Sequence, residues 1–123
     1  MSVSQAVATV QYVDRIVDLI MDKKGEDIVV IDLREVTSVS DYFIIVSGTS
    51  SVQVKAIADE IQDKLKKENN VVPWHVEGYE AQKWILLDFV DIVVHIFDVE
   101  TRNYYMLEKL WEDAESRHIE TNY

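Results

Sequence analysis

Residues 84–98 read "WILLDFVDIVVHIFD", the most apolar stretch of the chain, broken only by Asp88, Asp91, His95 and Asp98. Its two apolar halves meet at Phe89-Val90, and runs this rich in β-branched and aromatic residues predict a strand pair. In a hairpin flanked by residues 88 and 91, Leu87 pairs with Ile92, Leu86 with Val93, Ile85 with Val94 and Trp84 with His95, because antiparallel partners keep a constant sum. Alternation then puts Ile85, Leu87, Ile92, Val94 and Ile96 on one face. Trp84, Leu86, Asp88, Asp91, Val93, His95 and Phe97 take the other.

That geometry separates the polar groups. Asp91 and His95 lie four residues apart on one strand, about 13 Å between α-carbons at ~3.3 Å per residue. A metal ion needs its donors within roughly 2.0–2.2 Å, so the two aspartates and the histidine do not make one metal site. Opposed carboxylates at 88 and 91 could bind a cation together, but Asp is common at turns and no third ligand is evident. His95 reads as a histidine packed against Trp84 rather than a general base, since no nucleophile has a visible place beside it.

The rest of the chain reads as one mixed domain. Val7, Val10, Val13, Ile16, Val17, Ile20 and Met21 form a helical stripe over about residues 4–23, ended by Lys23, Lys24 and Gly25. "DIVVIDL" (27–33) and "DYFIIVSG" (41–48) read as buried strands. A helix follows, capped by Ser50 or Ser51, with Val54, Ile57, Ala58, Ile61 and Leu65 on its apolar face. "VVPWHVEG" predicts a short strand with Pro73 near its start. The last helix places Tyr104, Leu107, Leu110, Trp111 and Ala114 on one face, capped by Thr101, and residues 116–123 are expected to fray. The fold class is α/β or α+β: a mixed sheet of about five strands with helices packed on it, in a single domain of 123 residues.

Composition narrows the function. A net charge of −11 speaks against broad contact with nucleic acid and favours a basic protein partner. The absence of cysteine excludes disulfide scaffolds, thiol catalysis and cysteine-ligated zinc. With no apolar run of ~18 residues and no basic leader, no membrane association is expected and a cytoplasmic protein is. "SGTSS" (47–51), between strand and helix, could hold a phosphate as in nucleotidyltransferases, but those enzymes carry paired metal-binding carboxylates on the next strand, and "WHVEG" has none. His75 and Glu77 share a face and supply at most two ligands. No catalytic residue, metal or cofactor is therefore assigned. The aromatics Trp74, Tyr79, Trp84, Phe89, Phe97, Tyr104, Tyr105 and Trp111 favour binding over catalysis.

"SDYFIIVSGTSSVQVKAIAD" (40–59), "EGYEAQKWILLDFVDIVVHIF" (77–97) and "TRNYYMLEKLWEDA" (101–114) together resemble the ribosomal silencing factor, or Iojap-like, family over almost the whole chain. The resemblance implies a nucleotidyltransferase-like fold stripped of its metal carboxylates. It also implies a non-enzymatic translation repressor that binds the large ribosomal subunit at ribosomal protein L fourteen and blocks joining of the small subunit when nutrients are short. Little direct nucleic-acid contact is implied, and members of the family can pair as homodimers. Carried onto this chain, the implied partner-facing residues are Trp84, Phe89 and Tyr105, with Arg102 at the rim and Val90 beside Phe89 in the turn. Val90 departs from the family, which usually has Gly there. A β-branched residue disfavours φ > 0, so either the turn is of another type or the register above is displaced. The competing functions are a nucleotide-binding module built on Gly48 to Ser51 and a homo-oligomeric interaction module.

Overall fold

The computed structural model describes residues 3–123, with side chains from Thr9 onward in the first helix. Helix α1 (Val3–Asp22) leads into strands β1 (Glu26–Asp32) and β2 (Tyr42–Gly48), then helix α2 (Ser51–Asn69). Strands β3 (His75–Glu77), β4 (Trp84–Asp88) and β5 (Ile92–Asp98) follow. Helices α3 (Val99–Tyr105) and α4 (Leu107–Leu110) and strand β6 (Glu115–His118) complete the chain. The strands form one mixed sheet in the order β3-β4-β5-β2-β1-β6, with β2 and β5 parallel and the other pairs antiparallel.

The two faces of this sheet carry different cover. On one, α1 and α2 pack Ile16, Ile20, Ile57 and Ile61 against Ile44, Ile85, Leu87, Val94 and Ile96. On the other, α3 and α4 bring Leu107 and Trp111 over Val29, Ile31, Phe43, Ile45, Val93 and Phe97. The central strands β2 and β5 are buried on both sides, which is why they read as unbroken apolar runs. In β4 buried and half-buried residues alternate, because α3 and α4 leave its outer face partly open.

Helix α1 follows its expected stripe, with Val7's side chain outside the described residues; Leu19 is buried and Val10 exposed, a modest rotation of the apolar face. Its stop differs. Lys24 takes the left-handed conformation (φ 61°), and Gly25 is needed for space: a Cβ there would lie 2.5 Å from Ile20 Cγ2 and 2.7 Å from Val46 Cγ2. Helix α2 is capped by Ser50, whose hydroxyl accepts from Gln53 N, and ends at left-handed Asn70.

The hairpin register is corrected by two residues: Trp84 opposes Phe97, Leu86 opposes His95 and Leu87 opposes Val94. An even displacement preserves parity, so both faces keep the residues assigned to them. The cause is a tight turn. Phe89 N donates to Ile92 O (2.8 Å) and Asp91 N to Phe89 O (3.0 Å), closing a γ-turn on Val90 at φ 76°. Asp88 Oδ1 accepts from Val90 N at 2.8 Å, so this carboxylate closes the turn and opposes Val93, not Asp91.

A β-branched residue at this φ is strained by on the order of 1–3 kcal/mol. Val90→Gly should therefore raise stability by about 1 kcal/mol, after allowance for the greater freedom of glycine in the unfolded chain. A urea midpoint unchanged or lowered by the substitution would contradict this.

The C-terminal segment corrects a second expectation. Residues 115–118 do not fray: they pair with β1, Val29 with His118 through Asp32 with Glu115. Beyond the strand, Ile119 N donates to Ile28 O (2.9 Å), Ile119 packs against the core, and the Tyr123 hydroxyl donates to Gly25 O. The sheet thus has six strands rather than five. The last helix is also broken. Asp98, not Thr101, is its N-cap and accepts from Thr101 N, while Met106 at φ 50° ends α3 and starts α4.

Candidate functional site

Trp84 begins β4 on the face that α3 only partly covers. Its ring stacks on Phe97 (centroids 4.7 Å apart, 28° between planes) and meets Tyr105 of α3 at 5.0 Å. Tyr105 packs edge-on against Tyr104 at 5.0 Å. The helices then continue the exposed apolar surface through Tyr104 (79% exposed), Tyr105 (54%), Met106 (50%) and Leu110 (75%). Exposed apolar side chains grouped this way beside a half-buried tryptophan have the composition common at protein interfaces. The chemistry of this surface is flat ring area with polar edges.

Beneath Trp84 lies His95, 3% exposed, touching Phe43 edge-on at 4.6 Å and accepting the Trp84 indole N–H on Nδ1 at 3.1 Å. Burial pushes its pKa down to about 4 from the usual 6.5, with Asp88 pulling weakly the other way. The folded protein therefore binds this proton less readily than the unfolded chain. Stability associated with neutral His95 is complete above about pH 6.5 and is lost as pH falls towards 4. The loss amounts to about 3 kcal/mol by pH 4, counting ~1.36 kcal/mol per pKa unit. Because carboxylates also titrate below pH 5, the check is the difference from His95→Phe in urea melts from pH 7 to 4. The histidine protein should lose that much more than the variant; parallel pH curves would contradict the burial argument.

The other expected residues are dispersed. Phe89 lies at the far end of β4 from Trp84, about 16 Å away along the strand. It points to the opposite face, half-buried against the core under α1 and α2, where it lines a cavity of about 210 Å³ with Tyr12, Ile16, Leu65 and Val71. Val90 is 58% exposed at the hairpin tip. Arg102 is committed to the protein itself, its side chain only 10% exposed. Nε donates to Glu108 (2.6 Å), and Nη1 donates to Asp27 O (2.7 Å) and Ser47 Oγ (2.9 Å). It clamps α3 and α4 to the start of β1 and the end of β2, and α3 carries Tyr105.

The candidate phosphate loop is engaged elsewhere. Gln53 Oε1 accepts from Thr49 N (2.6 Å) and Thr49 Oγ1 (2.9 Å), and Gln53 Nε2 donates to the Lys23 and Lys24 carbonyls at 3.0 Å. With Ser50 taking Gln53 N, these bonds tie the start of α2 to the end of α1. His75 and Glu77 pair with each other at 2.9 Å. Among the described residues no three His, Asp or Glu side chains gather in a way that could hold a metal ion. Nor is any described helix long and apolar enough to cross a membrane.

Residues 6–122 match the family described as ribosomal silencing factor during starvation. The chain belongs to this family. It is 46% identical over 93 residues to the ribosomal silencing factor of Bacillus subtilis, covering 76% of this chain and 78% of that protein. To the ribosomal silencing factor of Halalkalibacterium halodurans it is 40% identical over 104 residues, 85% and 88% of the two chains. A crystal structure of a Chromobacterium violaceum protein superposes with a TM-score of 0.79 at 36% identity, covering 83% of this chain and 84% of that one. A ribosomal silencing role therefore goes with this α+β domain.

The family's implied aromatic pair, Trp84 and Tyr105, is brought together by α3 although the two are far apart in sequence. His95 beneath them was legible only as a neighbour of Trp84. The signal that could have placed α3 earlier was Asp98, an N-cap residue three positions before Thr101 at the end of an apolar strand.

Proposed function

We propose that the protein represses translation by seating its Trp84–Tyr105 surface on ribosomal protein L fourteen of the large ribosomal subunit, so that the small subunit cannot join. Repression of this kind would act when nutrients are short. The observation that carries the reading is the Trp84–Tyr105 pair itself: two large rings 5.0 Å apart, one half-buried on β4 and one exposed on α3. Membership of the silencing family supplies the ribosome as target, and the net charge of −11 suits a basic ribosomal protein. Val90, exposed at the hairpin tip, forms a second and smaller contact, Phe89 supports that tip from the core side, and Arg102 serves by fixing α3.

A direct test is titration of isolated ribosomal protein L fourteen. Saturable binding that weakens with added salt and is lost in Trp84→Ala is expected. Saturable binding that Trp84→Ala leaves intact would move the interface elsewhere on the protein.

A further inference from the structure

We infer that His95 is a positioning residue for this surface: by accepting the indole N–H of Trp84, it fixes the tilt of the aromatic anchor before any partner arrives. The inference rests on the reading of Trp84 as the ribosome anchor. Nδ1 accepts from the indole at 3.1 Å, which assigns the imidazole proton to Nε2. That Nε2 is buried and has no hydrogen-bond partner among the described residues. The ring lies among Phe43 (4.6 Å), Trp84 (5.9 Å) and Phe97 (6.3 Å). Packing alone would favour an apolar ring here, which would fill the space without burying an unpartnered Nε2–H of its own.

The other contacts of Trp84 do not set its orientation in the same way. Phe97 offers a stacked face and Tyr105 a tilted ring, both tolerant of rotation. The bond to His95 is directional. It also satisfies the indole N–H from inside the protein, so a partner that covers Trp84 strands no donor and need supply no acceptor. Both effects lower what association must offset in ordering and desolvation.

The test compares His95→Phe with His95→Asn, whose carbonyl oxygen can take the place of Nδ1. Two readouts are followed: the Trp84 indole N–H resonance, identified by its loss in Trp84→Phe, and affinity for purified large subunits. In His95→Phe the resonance should shift towards that of a free indole, with faster proton exchange, and affinity should fall about tenfold, the worth of one ordinary hydrogen bond. His95→Asn should restore most of both. In a Trp84→Phe background, which lacks the indole donor, His95→Phe should change affinity little further.

An unmoved indole resonance, or full affinity in a folded His95→Phe, would overturn the inference. Should His95→Phe not fold, a loss of about tenfold or more on adding His95→Asn, equal with and without the indole donor, would do the same. If Trp84→Ala binds large subunits as well as the unaltered protein, the anchor reading falls and this inference with it. If Trp84→Ala loses binding while His95→Phe does not, only the inference fails.

Discussion

Trp84→Ala is expected to weaken binding to the large ribosomal subunit by roughly 30-fold or more, the signature of an interface hot spot of at least ~2 kcal/mol. The magnitude follows from where the ring sits. Hot spots are large aromatics held in place at the centre of a contact, and Trp84 is held by Phe97 below, Tyr105 beside it and a hydrogen bond to His95. Tyr105→Ala should cost less, about tenfold, because Tyr105 is more exposed and its loss leaves the Trp84–Phe97 stack standing. The two rings touch, so the double substitution should fall short of the product of the single effects. Co-sedimentation with purified large subunits measures all three. Affinity unchanged in both single variants, with folding intact, would remove this surface from the interface.

The second large effect concerns stability. Arg102→Ala should destabilise the protein by about 2–4 kcal/mol, because one substitution leaves Glu108, the Asp27 carbonyl and Ser47 Oγ without the donor that joins them. By contrast Arg15→Ala, which breaks a two-pronged pair with Glu68 between exposed side chains, should change stability little, since water replaces the partner. Arg102→Lys should recover only part of the loss: an ammonium can reach one of the two groups of acceptors but not bridge both as the guanidinium fork does. Urea midpoints decide the ranking. Equal and small losses for Arg102→Ala and Arg15→Ala would show that the clamp is not structural. Binding should suffer in Arg102→Ala even at temperatures where the protein stays folded, because α3 carries Tyr105 and rests on this clamp.

These residues also show what could be read in advance. The faces of the hairpin were legible because strand side chains alternate strictly, and parity survived a register displaced by an even number. The register itself was not, because it depends on Val90 accepting φ 76° in a turn where a β-branched residue is disfavoured. Strand β6 was invisible for a different reason: all four of its residues are exposed and polar, so its place comes from backbone pairing with β1 and leaves no apolar pattern. The clamp at Arg102 depends on an irregularity in β1, where the register shifts between Glu26 and Val29 and Asp27 turns to φ 50°. No spacing in the sequence announces that. Trp84 and Tyr105 could be named from family resemblance; that α3 folds back to set one against the other depends on the Asp98 cap, the Arg102 clamp and the stop at Met106.

The most direct measurement of the central claim is subunit joining. Purified small and large subunits are mixed after the large subunits have been saturated with the protein, and the joined fraction is read by light scattering and on sucrose gradients. The protein should hold the subunits apart, and Trp84→Ala at the same concentration should let them join. Joining at the full rate and extent on large subunits that demonstrably carry the protein would contradict the claim that it silences ribosomes by occupying the joining face.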